Sequence, residues 1–160
     1  MVRAAIVTAS DKGSQGMRED LSGALIREML GEGYEILSKV ILPDDREILS
    51  AELRRLVELP VDLILTTGGT GFSKRDVTPE ATLDVIERQA MGISQAMMVH
   101  SLSITPRAML SRGVAGICGQ TLIVNLPGSP KAVKENLEYI RGPLKHGLEI
   151  LAGEAGECGK

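Results

Sequence analysis

Residues 61–82 read VDLILTTGGTGFSKRDVTPEAT. An apolar run closes on two threonines. A glycine-rich loop follows, then an acid and a proline-opened segment. A short apolar run bounded by turn residues reads as a buried strand, here Val61 to Leu65. Pro79 belongs in the first turn of a helix, with Thr78 or Asp76 as its cap. Strand, glycine loop and helix in that order mark one unit of a parallel α/β sheet.

The same alternation extends toward the N-terminus. Val2 to Thr8 is an apolar, β-prone run. Residues 10–23, SDKGSQGMREDLSG, form a polar connection, and Asp20 or Ser22 can cap the helix after it. Leu21, Leu25, Met29 and Leu30 recur at helical spacing. Residues 34–42, YEILSKVIL, are a second strand, ended by Pro43. Leu49, Leu53, Leu56 and Val57 line a further helix. Right-handed crossovers place the C-terminal strand ends on one edge, where open α/β sheets bind ligands. ASDKG, LPDD and TTGGTG are therefore expected around one crevice. The predicted fold is a single-domain, three-layer α/β structure around a mainly parallel sheet.

From Val77, VTPEATLDVIERQA has a continuous helical pattern. Residues 91–113 are less regular, with Met97, Met98, Leu102 and Ile104 placed for a core or a subunit contact. Two extended pieces follow, the second Thr121 to Leu126. Val133, Leu137, Ile140, Leu144, Leu148 and Leu151 mark a final helix capped by Ser129. Gly142 and Pro143 predict a bend or a division of that helix. The expected domain is 1–152, with 153–160 as a loose tail.

Composition narrows the function. The chain has 160 residues, 43% hydrophobic and 24% charged, with net charge -3. That is globular composition without a broad basic surface. Phe72, Tyr34 and Tyr139 are its aromatics, with no Trp. A stacking platform for nucleic acid is thus poorly supplied, and no nucleic-acid partner is expected. No segment approaches the ~20 apolar residues of a membrane span. MVRAAIVTAS reads as a first strand rather than a signal peptide. Cys118 and Cys158 have no metal-ligand spacing and read as two thiols of a cytoplasmic protein. His100 and His146 read as surface or packing residues.

Gly68, Gly69, Thr70 and Gly71 follow a strand directly. Glycines let backbone N–H groups approach an anion, and Thr70 adds a hydroxyl; a structural turn is the competing reading. The spacing is neither that of a P-loop nor GxGxxG. Asp76 reads equally as a Mg²⁺ ligand beside a phosphate and as a helix cap. Asp44, with Asp45, reads as a crevice carboxylate or an acidic helix start. Ser10 and Asp11 end the first strand. In NLPGSPK, Asn125 offers an amide, Gly128 frees the backbone, Ser129 opens a helix and Lys131 adds charge.

LILTTGGTGFSKRDVTPEAT, with ASDKGSQGMREDLSG before it and LIVNLPGSPKAV after it, resembles the molybdopterin-binding family of molybdenum cofactor biosynthesis. Residues 96–133 are similar in particular to gephyrin-like adenylyltransferase domains. The resemblance implies an α/β trimer that joins AMP from Mg-ATP to molybdopterin, releasing pyrophosphate, and a molybdenum-insertion protein as partner. It implies Asp44 and Asp76 as catalytic, Mg²⁺-binding residues. It places Ser10, Asp11, Gly68, Gly69, Thr70, Gly71, Asn125, Gly128, Ser129 and Lys131 around nucleotide or pterin. Cys118, His100 and Ser103 depart from the family pattern, where an arginine, an acid and a lysine are usual. Close paralogues of the family share much of this pocket and some have no established catalytic role, so a non-catalytic molybdopterin-binding or assembly protein is the alternative.

Overall fold

The computed structural model describes residues 1–154; residues 155–160, most of the expected tail and Cys158 among them, lie outside the described part. Six strands, β1 (Val2–Ala9), β2 (Tyr34–Leu42), β3 (Leu63–Thr67), β4 (Arg88–Gln89), β5 (Ala115–Cys118) and β6 (Thr121–Leu126), form one sheet in the order β2-β1-β3-β6-β5-β4. β2, β1, β3 and β6 run parallel, and β5 and β4 continue the sheet antiparallel. The helices are α1 (Asp11–Ser14), α2 (Leu21–Leu30), α3 (Arg46–Val57), α4 (Thr78–Leu83), α5 (Met91–Leu102) and α6 (Pro130–Leu151). Short 3₁₀ turns occupy Gly31–Gly33 and Pro106–Leu110.

The central strands are continuous apolar runs because both their faces are covered. Ala4 and Ile6 point to one face, with Leu63, Leu65, Leu122 and Val124. There they pack on Ile26 of α2, Met97 of α5 and Val133, Leu137, Ile140, Leu144 and Leu148 of α6. Ala5 and Val7 point the other way, with Ile64 and Ile123, onto Leu49, Leu53 and Leu56 of α3 and Ala81 of α4. This is the expected three-layer α/β domain. Each fully buried leucine contributes about 1.5–3 kcal/mol.

Several local expectations change. β3 starts at Leu63, two residues later than read from sequence. In α2 the inward face is Ser22, Gly23, Ile26 and Leu30, while Leu21 is exposed and Leu25 and Met29 are half-buried. The helix is rotated because Ser22 donates to Gly128 O at 2.7 Å and Gly23 lies against its cap, Asp20. Residues 91–102 form the regular helix α5, on which only Met97 is buried. α6 runs unbroken through Pro143, so the expected division does not occur. Leu144 and Leu148 stay on the face set by Val133 and Leu137, and their packing outweighs the roughly 3 kcal/mol helix penalty of proline.

The helix expected over residues 77–90 is α4 alone. Arg88 and Gln89 leave helical geometry to pair with Ile117 and Gly116. A Cβ on Gly116 would meet Arg88 O at 2.8 Å and Ile86 Cδ1 at 2.4 Å, so the glycine admits that strand. Tertiary pairing overrides the helical propensity of the segment.

Candidate active site

The parallel strands bring their C-terminal ends to one edge. β1 lies between β2 and β3, so the connections part in opposite directions there, as at a topological switch point. Ser10 N donates to Leu42 O at 2.8 Å, and Thr67 Oγ1 donates to Pro127 O at 2.6 Å. The four strand ends are thus tied together around a crevice of about 730 Å³. Of the residues chosen from sequence, Ser10, Asp11, Asp44, Gly68, Gly69, Asp76, Gly128 and Ser129 line it.

The glycine loop is built by close contact. Gly68 and Gly69 have positive φ of 88° and 67°, a region that favours glycine. A Cβ on Gly68 would lie 2.4 Å from Ala9 O. One on Gly69 would lie 2.3 Å from Thr78 Oγ1 and 3.2 Å from Asp44 Oδ1. A Cβ on Gly128 would lie 3.4 Å from Gly68 Cα, so the β3 and β6 loops form one wall.

Asp11 and Asp44 hold each other across that wall's far side. Asp11 N donates to Asp44 Oδ2 and Asp44 N to Asp11 Oδ1, both at 3.0 Å. Arg75 adds a two-pronged pair to Asp11 at 2.9 Å, which with the Asp44 amide holds the Asp11 carboxyl below its usual range. Asp44 goes the opposite way. Burial pushes its pKa up, and the neighbouring Asp11 and Asp76 carboxylates add to that, against the Asp11 amide and Arg75. Negative charge is therefore crowded where Asp44 and Asp76 meet the glycine loop, and a cation there would relieve it. Their hard oxygens suit Mg²⁺, which uses one or two carboxylates when phosphates complete its shell. Among the described residues no group of three or more His, Cys, Asp or Glu forms a protein-only cage.

Asp76 is not a helix cap. α4 begins after Val77 without a side-chain cap, and Asp76 Oδ2 instead accepts from Ser73 N at 3.0 Å. Nor does Thr78 cap; its Oγ1 is buried without a hydrogen-bond partner. Asp45 caps α3 by accepting from Ile48 N, and Ser129 caps α6 by accepting from Ala132 N.

Four chosen residues sit elsewhere. Thr70 is buried and does not line the crevice. Gly71 lines a second, more apolar cavity of about 440 Å³, with Phe72, Met97, Met98 and Ser101 around it. Asn125 borders that cavity, and its amide is used inside the protein. Nδ2 donates to Thr66 Oγ1 and Thr82 Oγ1, each at 2.9 Å, and Oδ1 accepts from Val114 N at 3.1 Å. Lys131 is 83% exposed on α6 and faces Glu135 at 3.9 Å.

Sequence reading missed Lys12 and Arg18, the cations on the crevice lining, and took Asp20 only as a helix-cap candidate, although it also lines the crevice. Asp20 caps α2, accepts from Thr8 Oγ1 at 3.0 Å and faces Lys39 at 3.3 Å. It also missed Arg112, whose guanidinium donates to Gly71 O and Asp76 O, each at 2.7 Å, and pairs with Glu80. Nothing in the local pattern LSRG marks that arginine.

Comparison with known proteins places the architecture. A family model described as "Probable molybdopterin binding domain" matches residues 5–146. Gephyrin of Dictyostelium discoideum is 44% identical over 158 residues, 91% of this chain and 22% of gephyrin. The chain therefore spans under a quarter of that relative's length. A molybdopterin adenylyltransferase of Helicobacter pylori is 39% identical, over 92% of this chain and 86% of its own. The crystal structure of the molybdopterin biosynthesis enzyme MoaB of Thermus thermophilus superposes with a TM-score of 0.91 at 43% identity, covering 98% of this chain and 100% of that one. Identities to the gephyrin and MoaB branches are nearly equal, so the expected gephyrin-like placement is not singled out.

Proposed function

The chain belongs to the molybdopterin-binding family of molybdenum cofactor biosynthesis, and from that premise we propose that it binds molybdopterin as a carrier or assembly protein of that route. The observation that carries this is the position of the GGTG loop. Gly68 and Gly69 face the polar crevice, while Gly71 faces the apolar cavity. A flat, partly apolar pterin suits the cavity, where Ser94, Ser101, Ser111 and Thr105 offer hydroxyls for its ring edges. Its phosphate would lie at the loop, with the helix start at Ser129 and the cations Lys12 and Arg18 across the crevice. This reading requires only a pterin site.

A second reading adds adenylyl transfer, and the Asp44–Asp76 pair in the crevice favours it. The terminal phosphate oxygen of molybdopterin attacks the α-phosphorus of ATP. The bond from that phosphorus to the bridging β-phosphate oxygen breaks, and pyrophosphate leaves with the electron pair. The nucleophile is already anionic, so alignment and charge neutralisation are the main requirements. Mg²⁺ bound to Asp44 and Asp76 would supply the neutralisation. Gly68, Gly69 and Ser129 would orient phosphates. Asp11 fixes Asp44 through the paired amide bonds.

The proposal carries a homotrimer, a cytoplasmic setting, a 1–152 domain and a molybdenum-insertion protein as the next user. Val99, Leu102, Ile104 and Met109, all exposed on α5 and the turn after it, support the subunit contact. Among the described residues no helix is long and apolar enough to cross a membrane.

The test is to mix purified protein with molybdopterin, first alone and then with ATP and Mg²⁺, and examine the bound and released species by mass spectrometry. Bound, unchanged molybdopterin supports the carrier reading. Adenylyl-molybdopterin that needs Mg²⁺ establishes transfer. A protein that retains no molybdopterin at all refutes both.

A further inference from the structure

The two cavities share more than the glycine loop. Arg112 lies behind that loop, between Ser111 and Gly113, and both of these neighbours line the apolar cavity. Its backbone N–H donates to Thr70 O at 2.8 Å. Nε donates to Gly71 O at 2.7 Å, so one prong holds a residue of the apolar cavity. The Nη2 group donates to Asp76 O at 2.7 Å, so a second prong holds a residue of the polar crevice. The third prong, Nη1, pairs with Glu80 on α4, and so ties the arginine to the helix behind Asp76.

This fork fixes geometry rather than charge alone. A guanidinium is planar, with its donors at set angles, so three acceptors held at once define its position closely. Fixing the Asp76 carbonyl fixes a peptide plane next to the Asp76 side chain. That side chain is otherwise held by one amide, from Ser73. The path from the apolar cavity to Asp76 is thus short: Ser111 and Gly113, the Arg112 guanidinium, the Asp76 peptide.

We infer that Arg112 is a positioning residue that couples the two cavities, so that a pterin seated in the apolar cavity sets the direction of the Asp76 carboxylate toward a Mg-nucleotide in the crevice. This rests on the second reading, in which the crevice takes a Mg-nucleotide, and adds an order to it. The pterin binds first with its own affinity, and the nucleotide then binds to an arranged site. By linkage the nucleotide tightens pterin binding by the same factor.

The experiment measures Mg-ATP affinity by calorimetry with and without saturating molybdopterin. In the unaltered protein molybdopterin should tighten Mg-ATP by about fivefold or more, the lower range of coupling between sites. Arg112→Gln should bring that factor to about one, whatever its effect on molybdopterin's own affinity, which the same titrations measure. Arg112→Lys, with a single ammonium, should restore only part of it. Since Arg112→Gln leaves Glu80 without its partner, the double variant Arg112→Gln/Glu80→Gln removes the stranded charge and should give the same loss of coupling. Hydrogen exchange on the unaltered protein asks the question without any substitution. Molybdopterin alone should slow exchange at the Ser73 and Asp76 amides.

Full coupling in the double variant, or unchanged exchange in the unaltered protein, overturns the role of Arg112 and leaves molybdopterin binding standing. Failure of the unaltered protein to bind molybdopterin overturns the functional reading together with this inference.

Discussion

Asp11 and Asp44 cap one another: each backbone N–H donates to the other's carboxylate at 3.0 Å, across the ends of β1 and β2. The pair joins two loops that share no sequence neighbourhood and sets Asp44 at the crevice. The acceptor matters here more than the charge.

Asp11→Ala should therefore destabilise the protein, because it leaves the part-buried Asp44 amide unsatisfied. Asp11→Asn keeps an acceptor oxygen and should cost much less, because the lost Arg75 pair is exposed and worth little. Urea melts of the two variants check the difference. Equal losses would mean that the ion pair, not the cap, holds the loop.

The two aspartates have opposite pH signatures. The carboxyl of Asp11 is lowered by Arg75 and the Asp44 amide, so its stabilisation is present above the ordinary carboxylate range and lost as pH falls through the lowered value. Asp44 is raised by burial, then by Asp11 and Asp76. Its contribution is present below the unfolded value and lost as pH rises through the raised one, so ionised Asp44 is a cost at neutral pH. Asp44→Asn should raise the neutral-pH Tm of the ligand-free protein, because it removes the ionised form that burial and the neighbouring carboxylates disfavour. The gain should fade in acid, where Asp44 is protonated anyway. Mg²⁺ affinity of the unaltered protein should climb as pH rises through the raised Asp44 value. A lower Tm for Asp44→Asn at neutral pH contradicts the charge-crowding account.

Asn125 shows where sequence reading stops. NLPGSPK follows a strand, and its position alone brought Asn125 toward a ligand. The strand and the edge were legible because buried parallel strands are continuous apolar runs and their ends must converge. The same logic brought Asp44, Asp76, Gly68 and Gly128 to one crevice. What a side chain touches there is set by residues distant in sequence: Thr66, Thr82 and Val114 for Asn125, and Gly71, Asp76 and Glu80 for Arg112. The length of α4 failed for a similar reason, since Arg88 and Gln89 answer to β5 and not to helix propensity. Asn125→Ala should accordingly act on stability. Two buried hydrogen bonds and one part-buried one are lost and Val114 N is stranded, so a loss on the order of 2–4 kcal/mol is expected. Calorimetry should show a large fall in Tm; a normal Tm with weakened ligand binding would return Asn125 to the ligand site.

Gly69 allows a sharper steric test. Its φ is 67°, and a Cβ would sit 2.3 Å from the Thr78 hydroxyl oxygen. Gly69→Ala should lose about 1–3 kcal/mol from backbone strain, with more if Thr78 cannot yield. Adding Thr78→Ala removes the hydroxyl and should recover the steric part but not the backbone part. A double variant no more stable than Gly69→Ala would show that φ alone dictates glycine there.

Asp76 and Lys131 separate the crevice from its surroundings. Asp76 lines the crevice beside Asp44, whereas Lys131 is 83% exposed and turned toward Glu135. Asp76→Asn keeps an oxygen for the Ser73 amide, so the loop should hold its shape and the Tm should change little. The lost negative charge should nevertheless weaken Mg-ATP strongly and leave molybdopterin retention nearly intact. If the protein carries out transfer, Asp76→Asn should remove almost all adenylyl-molybdopterin while unchanged molybdopterin still accumulates on the protein. Lys131→Ala should alter neither ligand. Mass spectrometry of bound species, beside calorimetric titration of Mg-ATP, distinguishes the cases. A fully active Asp76→Asn with normal folding removes Asp76 from the metal site. A Lys131→Ala variant that loses molybdopterin would mean that the α6 N-terminus turns its lysine into the crevice when ligand arrives, and that the anionic part of molybdopterin lies nearer Ser129 than the GGTG loop.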